Sequence, residues 1–208
     1  MLRALLVGAA TLGGFLSFAQ DPKPPATPPT TAPTTTPAAT SATPPTPAQP
    51  AAAPADVASV DAITAALYDV ISGPAGQKRD WDRMRSLFHK EARLVPMLKA
   101  RDGGGMRAVH LKVDDYVQRS GPMLEQNGFF EHEIARQVQT FGDFSHVWST
   151  YESRKSKADA EPFLRGINSI QLVREQGRWF VLQILWEQEA DAGPLPAKYL
   201  PAKYLPAK

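Results

Sequence analysis

The spacing of apolar residues along the chain switches between the helical and the strand period, and each switch marks an element. Val60, Ile63, Leu67, Val70 and Ile71 fall on one helical stripe, with Asp56 as the expected N-cap and Gly73-Pro74 as the stop. A second, shorter helix is predicted after Asp80, turning Trp81, Met84, Leu87 and Phe88 inward. Leu94 to Leu98 and Met106 to Leu111 read as a hairpin about the loose turn Arg101-Asp102-Gly103-Gly104-Gly105. Asp114 caps a third helix through Gln126, bent or interrupted at Gly121-Pro122. From Phe129 to Glu189 the period is two, giving four strands in two hairpins that turn at Gly142-Asp143 and Gln176-Gly177. The order predicts an α+β fold, a curved and mostly antiparallel sheet with three helices on its concave face.

Alternation also sorts side chains by face. A two-residue turn at Gly142-Asp143 pairs Arg136 with Ser149, Ile134 with Tyr151 and Val138 with Val147. One face then carries Phe130, His132, Ile134, Arg136, Val138, Val147, Ser149 and Tyr151, and is expected to meet the helices. Glu131, Glu133, His146, Trp148, Thr150 and Glu152 fall on the other, wet or partner-facing side. In the second hairpin Ile167, Ser169, Gln171 and Val173 group with Phe180, Leu182, Ile184 and Trp186. The opposite set, with Ile170, Leu172, Trp179, Val181 and Leu185, is too apolar for water alone, so it reads as a homodimer surface or the seat of a terminal segment.

Composition narrows the length that can fold. Of the 20 prolines, 12 lie between Pro22 and Pro54, within a Pro/Thr/Ala run that has no aromatic residue and is expected to be an extended tether. At about 3.1 Å per residue it spans up to ~100 Å. The predicted organisation is a signal peptide over 1–19, a disordered linker over 20–55, one domain over 56–193 and a disordered tail over 194–208. Arg3, the apolar run Ala4 to Phe18 and the small residues around Ala19 predict cleavage before Gln20 and export to the periplasm or beyond, with no membrane attachment afterwards. A retained anchor, with the tether as a stalk, is the alternative. In the tail, Leu195-Pro196-Ala197-Lys198-Tyr199 recurs at Leu200 to Tyr204, either as a disordered duplication or as an arm that touches a partner or a cell-wall polymer. A net charge of +2 builds no basic stripe for phosphate backbones, so nucleic acid is set aside. The chain has no cysteine.

The first helix with its aromatic residue, the stretch Asp80-Trp81-Asp82-Arg83-Met84-Arg85-Ser86-Leu87-Phe88-His89-Lys90-Glu91-Ala92, and the closing hairpin through Trp186-Glu187 together resemble the nuclear transport factor 2-like superfamily. That superfamily of cystatin-like cones includes ketosteroid isomerases, scytalone dehydratase and SnoaL-like cyclases. The resemblance covers 56–189, and it implies a fold more than an activity. It implies that Tyr68 stands where the isomerases carry a hydrogen-bonding tyrosine and that Trp186 lines the pocket. It also implies that the face with Ser169, Gln171 and Trp186 is concave. The isomerase aspartates would fall near Pro96 and near Ser169 or Ile170, and none of these residues can abstract a proton, so the isomerase reaction lacks its catalytic pair.

The expected pocket is therefore apolar with polar fittings: Tyr68, His132, Arg136, Ser149, Tyr151, Ser169 and Gln171, with Trp186 in its wall. Enclosed there, Arg136 needs an acidic neighbour, a place at the mouth, or an anionic ligand. His132 and Tyr151 are the candidate bases, although each also reads as a hydrogen-bonded structural group. No metal is expected: His132-Glu133-Ile134-Ala135-Arg136 has Arg where a zinc motif needs its second His, and the four histidines lack ligand spacing. Gly103-Gly104-Gly105 has no phosphate-loop lysine, and no cofactor is expected. Three functions fit: binding a small apolar or carboxylate ligand, lyase or isomerase chemistry in the cone, or a tethered interaction module.

Overall fold

The structure is a computed structural model that describes residues 49–204; the predicted signal segment, most of the linker and residues 205–208 lie outside them. Among the described residues five α-helices are found, not three: α1 (Pro54–Val57), α2 (Val60–Ile71), α3 (Trp81–Leu87), α4 (Val113–Asn127) and α5 (Glu189–Ala192). Six strands, β1 (Phe88–Lys99), β2 (Met106–Ala108), β3 (Phe130–Phe141), β4 (Phe144–Arg154), β5 (Leu164–Glu175) and β6 (Arg178–Gln188), form one sheet in the order β2-β1-β6-β5-β4-β3. All neighbours are antiparallel except β1 and β6, which run parallel.

Local chemistry sets the helix ends, though not always at the expected residue. Ser59, rather than Asp56, caps α2 by accepting from the Ala62 N–H at 3.0 Å. Asp56 sits in α1, where it takes Arg83 bidentately at 2.7 and 3.0 Å; Arg83 also reaches Asp69 at 2.5 Å, so one guanidinium joins α1, α2 and α3. At α4 the Lys112 N–H donates to Asp115 at 2.9 Å. This helix runs on through Gly121-Pro122 without stopping. Gly121 explains why a break is not needed: a Cβ there would lie 3.1 Å from the Trp81 ring, so the small residue lets α4 press against α3, and packing outweighs the lost proline N–H.

The core lies between these helices and one face of the sheet. Val57, Ile63, Leu67, Val70, Met84 and Leu87 pack against Val147, Ile170, Leu172, Trp179 and Val181. The face expected for dimerisation in the second hairpin is thus the buried one, and Ser169, Gln171 and Phe180 lie on the outer side. Ile184 and Trp186 do face inward, because a bulge at Leu182 returns them to the core side: Gln171 pairs with Gln183 but Leu172 with Val181.

A second bulge reshapes β3. Arg136 pairs with Ser149 and Val138 with Val147 as expected, but Glu133, not Ile134, stands opposite Tyr151. The extra residue reverses the alternation from there back to the start of the strand. Glu131 and Glu133 therefore turn to the inner side with Ser149, Tyr151 and Ser153, while His132 pairs with Glu152 on the outer side.

The tail residues 194–204 are placed against the sheet, contrary to the disordered tail expected. Each repeat unit forms a 3-10 turn, Ala197–Tyr199 and Ala202–Tyr204, closed by its Tyr N–H on the carbonyl of the Pro three residues earlier, at 2.9 and 3.0 Å. Tyr199 stacks on Trp148 with ring centroids 5.6 Å apart, and its carbonyl accepts from Thr150 Oγ1 at 2.8 Å. The Tyr204 hydroxyl donates to Glu152, with the Arg165 guanidinium 5.4 Å from its ring centre. Thr150 and Glu152 are each only 1 % exposed beneath this cover, which explains polar residues on the outer face that are nonetheless buried.

Candidate functional site

A groove of about 830 Å³ runs between α2 and β3. Tyr68 and Thr64 of α2 line it together with Glu131, Glu133 and Arg136 of β3, and the mouth carries Arg154, Lys157 and Lys203. The groove follows the free edge of β3, where the Ser72 hydroxyl accepts from the Glu131 N–H at 3.0 Å and donates its one proton to the Tyr68 carbonyl at 2.6 Å. That side chain fixes the end of α2 to the edge strand and so sets the height of the groove.

The floor is polar and ordered. Ser149 donates to Glu133 Oε2 at 2.5 Å, and a serine hydroxyl has a single proton. Tyr68 must therefore be the donor in its 2.6 Å bond to Ser149 Oγ, and its own oxygen accepts from Asn168 Nδ2 at 3.1 Å. The protons thus point in one direction, from Asn168 through Tyr68 and Ser149 to Glu133. Arg136 closes the chain at the surface, with Nε 2.9 Å from Glu133 and Nη1 3.0 Å from Asp61.

Glu131 is the chemically distinctive group. Its carboxyl accepts from Ser153 Oγ at 2.8 Å and is reached by the Asn168 amide, yet among the described residues no cation pairs with it. Burial pushes its pKa up to about 7, against those two hydrogen bonds. Tyr68, Tyr116 and Tyr151 surround it, and burial together with the Glu131 charge raises the pKa of each phenol. A half-protonated carboxyl among phenols at neutral pH can hold a polar ligand atom or exchange a proton with it.

The predicted residues separate into three groups. Tyr68, Arg136 and His132 line the groove, but Arg136 is an ion-paired residue at the mouth, not an enclosed guanidinium awaiting a ligand. His132 is 52 % exposed on its side chain and bonds Glu152 at 2.9 Å on the outer side, so it is removed from the concave face assigned to it. Ser149 and Tyr151 are buried on the inner side, and Trp186 packs edge-on against Tyr116 with centroids 6.3 Å apart. Ser169 and Gln171 are on the wrong face for the cone; Ser169 instead bonds His146 Nε2 at 2.9 Å. Glu131, Glu133 and Asn168 were missed. The signal was present as Glu131-x-Glu133 opposite Ser149, Ser153 and Asn168, since hydroxyls and an amide on a core face require polar partners across the strand. Among the described residues no cluster of three or more His, Asp or Glu side chains is arranged to hold a metal.

Gly166 keeps Tyr151 in this arrangement. A Cβ at Gly166 would meet the Tyr151 hydroxyl at 2.6 Å and also the Glu187 carbonyl. Gly166→Ala is expected to displace the ring from Glu131 and to cost about 1–3 kcal/mol of stability, read by urea denaturation; a loss below a few tenths would mean that Tyr151 has room to move.

No protein-family model matches the sequence, and no curated protein is significantly similar to it. Solved structures are similar in shape. One is a protein of unknown function with a cystatin-like fold from Nostoc punctiforme, at 13% identity over 65% of this chain and 90% of that one, with a TM-score of 0.47. A domain of unknown function with a cystatin-like fold from the same organism is 11% identical over 66% of this chain and 78% of that one, also at 0.47. An NTF-2 like protein of unknown function from Silicibacter pomeroyi is 13% identical over 62% and 92%, at 0.42. In its own order of elements the chain is an α+β fold, one six-stranded sheet with helices packed on its inner face.

Proposed function

We propose that this chain is an exported domain that binds a small molecule in the groove between α2 and β3. The ligand is largely apolar and carries one anionic or strongly hydrogen-bonding group. One observation carries the reading: the floor of an 830 Å³ groove holds Glu131, a carboxyl raised to about 7 and ringed by phenols. Thermal-shift measurements with hydrophobic carboxylates and their amides test it. Stabilisation is expected, and Ala65→Trp, which places an indole in the groove, is expected to remove it. Melting points indifferent to every compound and to Ala65→Trp would overturn the reading. Export, and the pairing of two copies through the part of the outer sheet face beyond the tail, belong to the same proposal. The mass of the secreted chain and light scattering of the purified one test them, and an unprocessed or strictly monomeric chain would remove the corresponding part.

A lyase or isomerase is the second reading, favoured by Glu131 as a general base near neutral pH. It takes the place of a mechanism through His132, which points to the outer side. The bond directions argue against it: the Tyr68 proton is committed to Ser149, so the phenol offers a ligand oxygen no donor. Binding therefore accounts for the geometry with fewer rearrangements.

A further inference from the structure

We infer that the second tail unit is a wall of this groove and that Lys203 selects ligands bearing a negative charge. The inference rests on the groove being the ligand site. Four cations line the groove, and two are already occupied: Arg136 by Asp61 and Glu133, Arg154 by Glu152 at 2.6 Å. Of the four acids that line it, Glu133 and Glu152 hold these arginines, Asp69 holds Arg83, and Glu131 at the floor accepts from Ser153 and pairs with no cation among the described residues. Lys157 and Lys203 remain, and among the described residues neither has a carboxylate partner. Each ammonium instead stands near an aromatic ring, Lys157 at 5.5 Å from the Phe130 centre and Lys203 at 4.7 Å from that of Tyr204. An anion between them meets two uncompensated charges.

What places Lys203 there is its neighbour. Tyr204 is seated on Glu152, a carboxyl that His132 and Arg154 also contact, and Arg165 covers the ring. Lys198 of the first unit has the same turn and the same ring contact at 4.7 Å, but its Tyr199 is seated on Trp148, and Lys198 does not line the groove. The duplication therefore has a consequence: of the two copies among the described residues, only the second brings an ammonium to the groove.

The test uses two fluorescent probes of nearly the same shape, the anion 1-anilinonaphthalene-8-sulfonate and the neutral N-phenyl-1-naphthylamine, titrated into the whole chain. The wild type is expected to prefer the anion. Lys203→Gln should weaken the anion about 3- to 10-fold and leave the neutral probe within about twofold, as removal of one partly solvated charge predicts. Tyr204→Phe, which keeps the ring but loses the bond to Glu152, should move in the same direction. Binding that Ala65→Trp abolishes but Lys203→Gln leaves unchanged for both probes, with circular dichroism showing the variant folded, overturns this inference alone. Equal weakening of both probes does so too, because it is what a merely structural lysine would give. If neither probe binds, or Ala65→Trp has no effect, the groove reading fails and this inference with it.

Discussion

Glu131→Gln is expected to stabilise the fold at pH 8, by on the order of 3 kcal/mol, while weakening the ligand site. The carboxyl rises from an ordinary value of 4.5 to about 7 on folding, and each unit corresponds to about 1.4 kcal/mol. Between those two values the folded chain holds a proton that the unfolded chain has released. Stability therefore falls as pH rises through that window, and above it the full cost of a buried anion is present. Glutamine cannot ionise, yet its carbonyl can still accept from Ser153 Oγ. Urea denaturation at pH 4.5 and pH 8 should show the two proteins alike at the lower pH and separated at the higher. Parallel pH profiles would mean that Glu131 is solvated and the groove floor is ordinary surface. Glu152 acts with the opposite sign. Against its burial, Tyr204, Arg154 and His132 hold its carboxyl below the usual range, so its contribution is present above about 4.5 and lost on acidification. The two carboxyls therefore titrate in separate windows, and the Glu131 effect can be read without the tail contributing to it.

A group that destabilises its own fold near neutral pH is retained for something other than packing. Natural sites that bind or react commonly cost stability in this way. The surroundings of Glu131 fit that pattern: a hydroxyl and an amide bond its carboxyl and three phenols lie near it, but among the described residues no lysine or arginine pairs with it. A purely structural carboxylate in this chain looks like Glu152 or Asp56, each bound to an arginine.

Period and turn chemistry made the elements legible. Gly142-Asp143 and Gln176-Gly177 fixed both hairpins, and Gln176 and Gly177 both take positive φ, 50° and 81°, as a two-residue hairpin turn requires. Faces were harder. Alternation sorts residues into two sets but does not say which set is buried, and in β5 and β6 both sets are apolar, with Trp179 and Val181 on one side and Phe180 and Leu182 on the other. The bulges at Ile134 and Leu182 have no glycine or proline to mark them, so each reverses parity without warning. That single reversal in β3 exchanged His132 for Glu131 as the group on the inner side. The parallel contact of β1 with β6 was also hidden, because it joins strands far apart in the chain and no turn records it. The tail was misread for a different reason: five-residue units with proline and lysine lack a core of their own, and only the sheet supplies the aromatic and carboxylate seats for their tyrosines.

Arg79→Met is expected to cost about 3–5 kcal/mol, because it removes a buried donor from five backbone carbonyls, of which Gly73 and Pro74 keep one backbone N–H each, from Phe129 and Gln77. The guanidinium is inside the protein, at 7 % exposure, and pairs with backbone rather than acids. Nε donates to the Ile71 carbonyl at 3.0 Å, Nη1 to Gln77 at 2.5 Å and Pro74 at 3.4 Å, and Nη2 to Gly73 at 2.6 Å and Leu124 at 3.1 Å. These carbonyls belong to the end of α2, the loop after it and α4, the same region where Ser72 meets Glu131. Lysine has one compact ammonium and cannot span them, so Arg79→Lys should recover less than half of the loss. Gly73 supplies an internal check. A Cβ there would lie 2.6 Å from Arg79 Nη1, so Gly73→Ala is destabilising only while the guanidinium is present. A double-mutant cycle between Gly73→Ala and Arg79→Met should then show a coupling of about 1 kcal/mol or more, the pair costing less than the sum of the singles. Additive losses, or an Arg79→Met variant within about 1 kcal/mol of wild type in urea, would show that water or a shifted loop satisfies those carbonyls, and that the end of α2 is not held by this side chain.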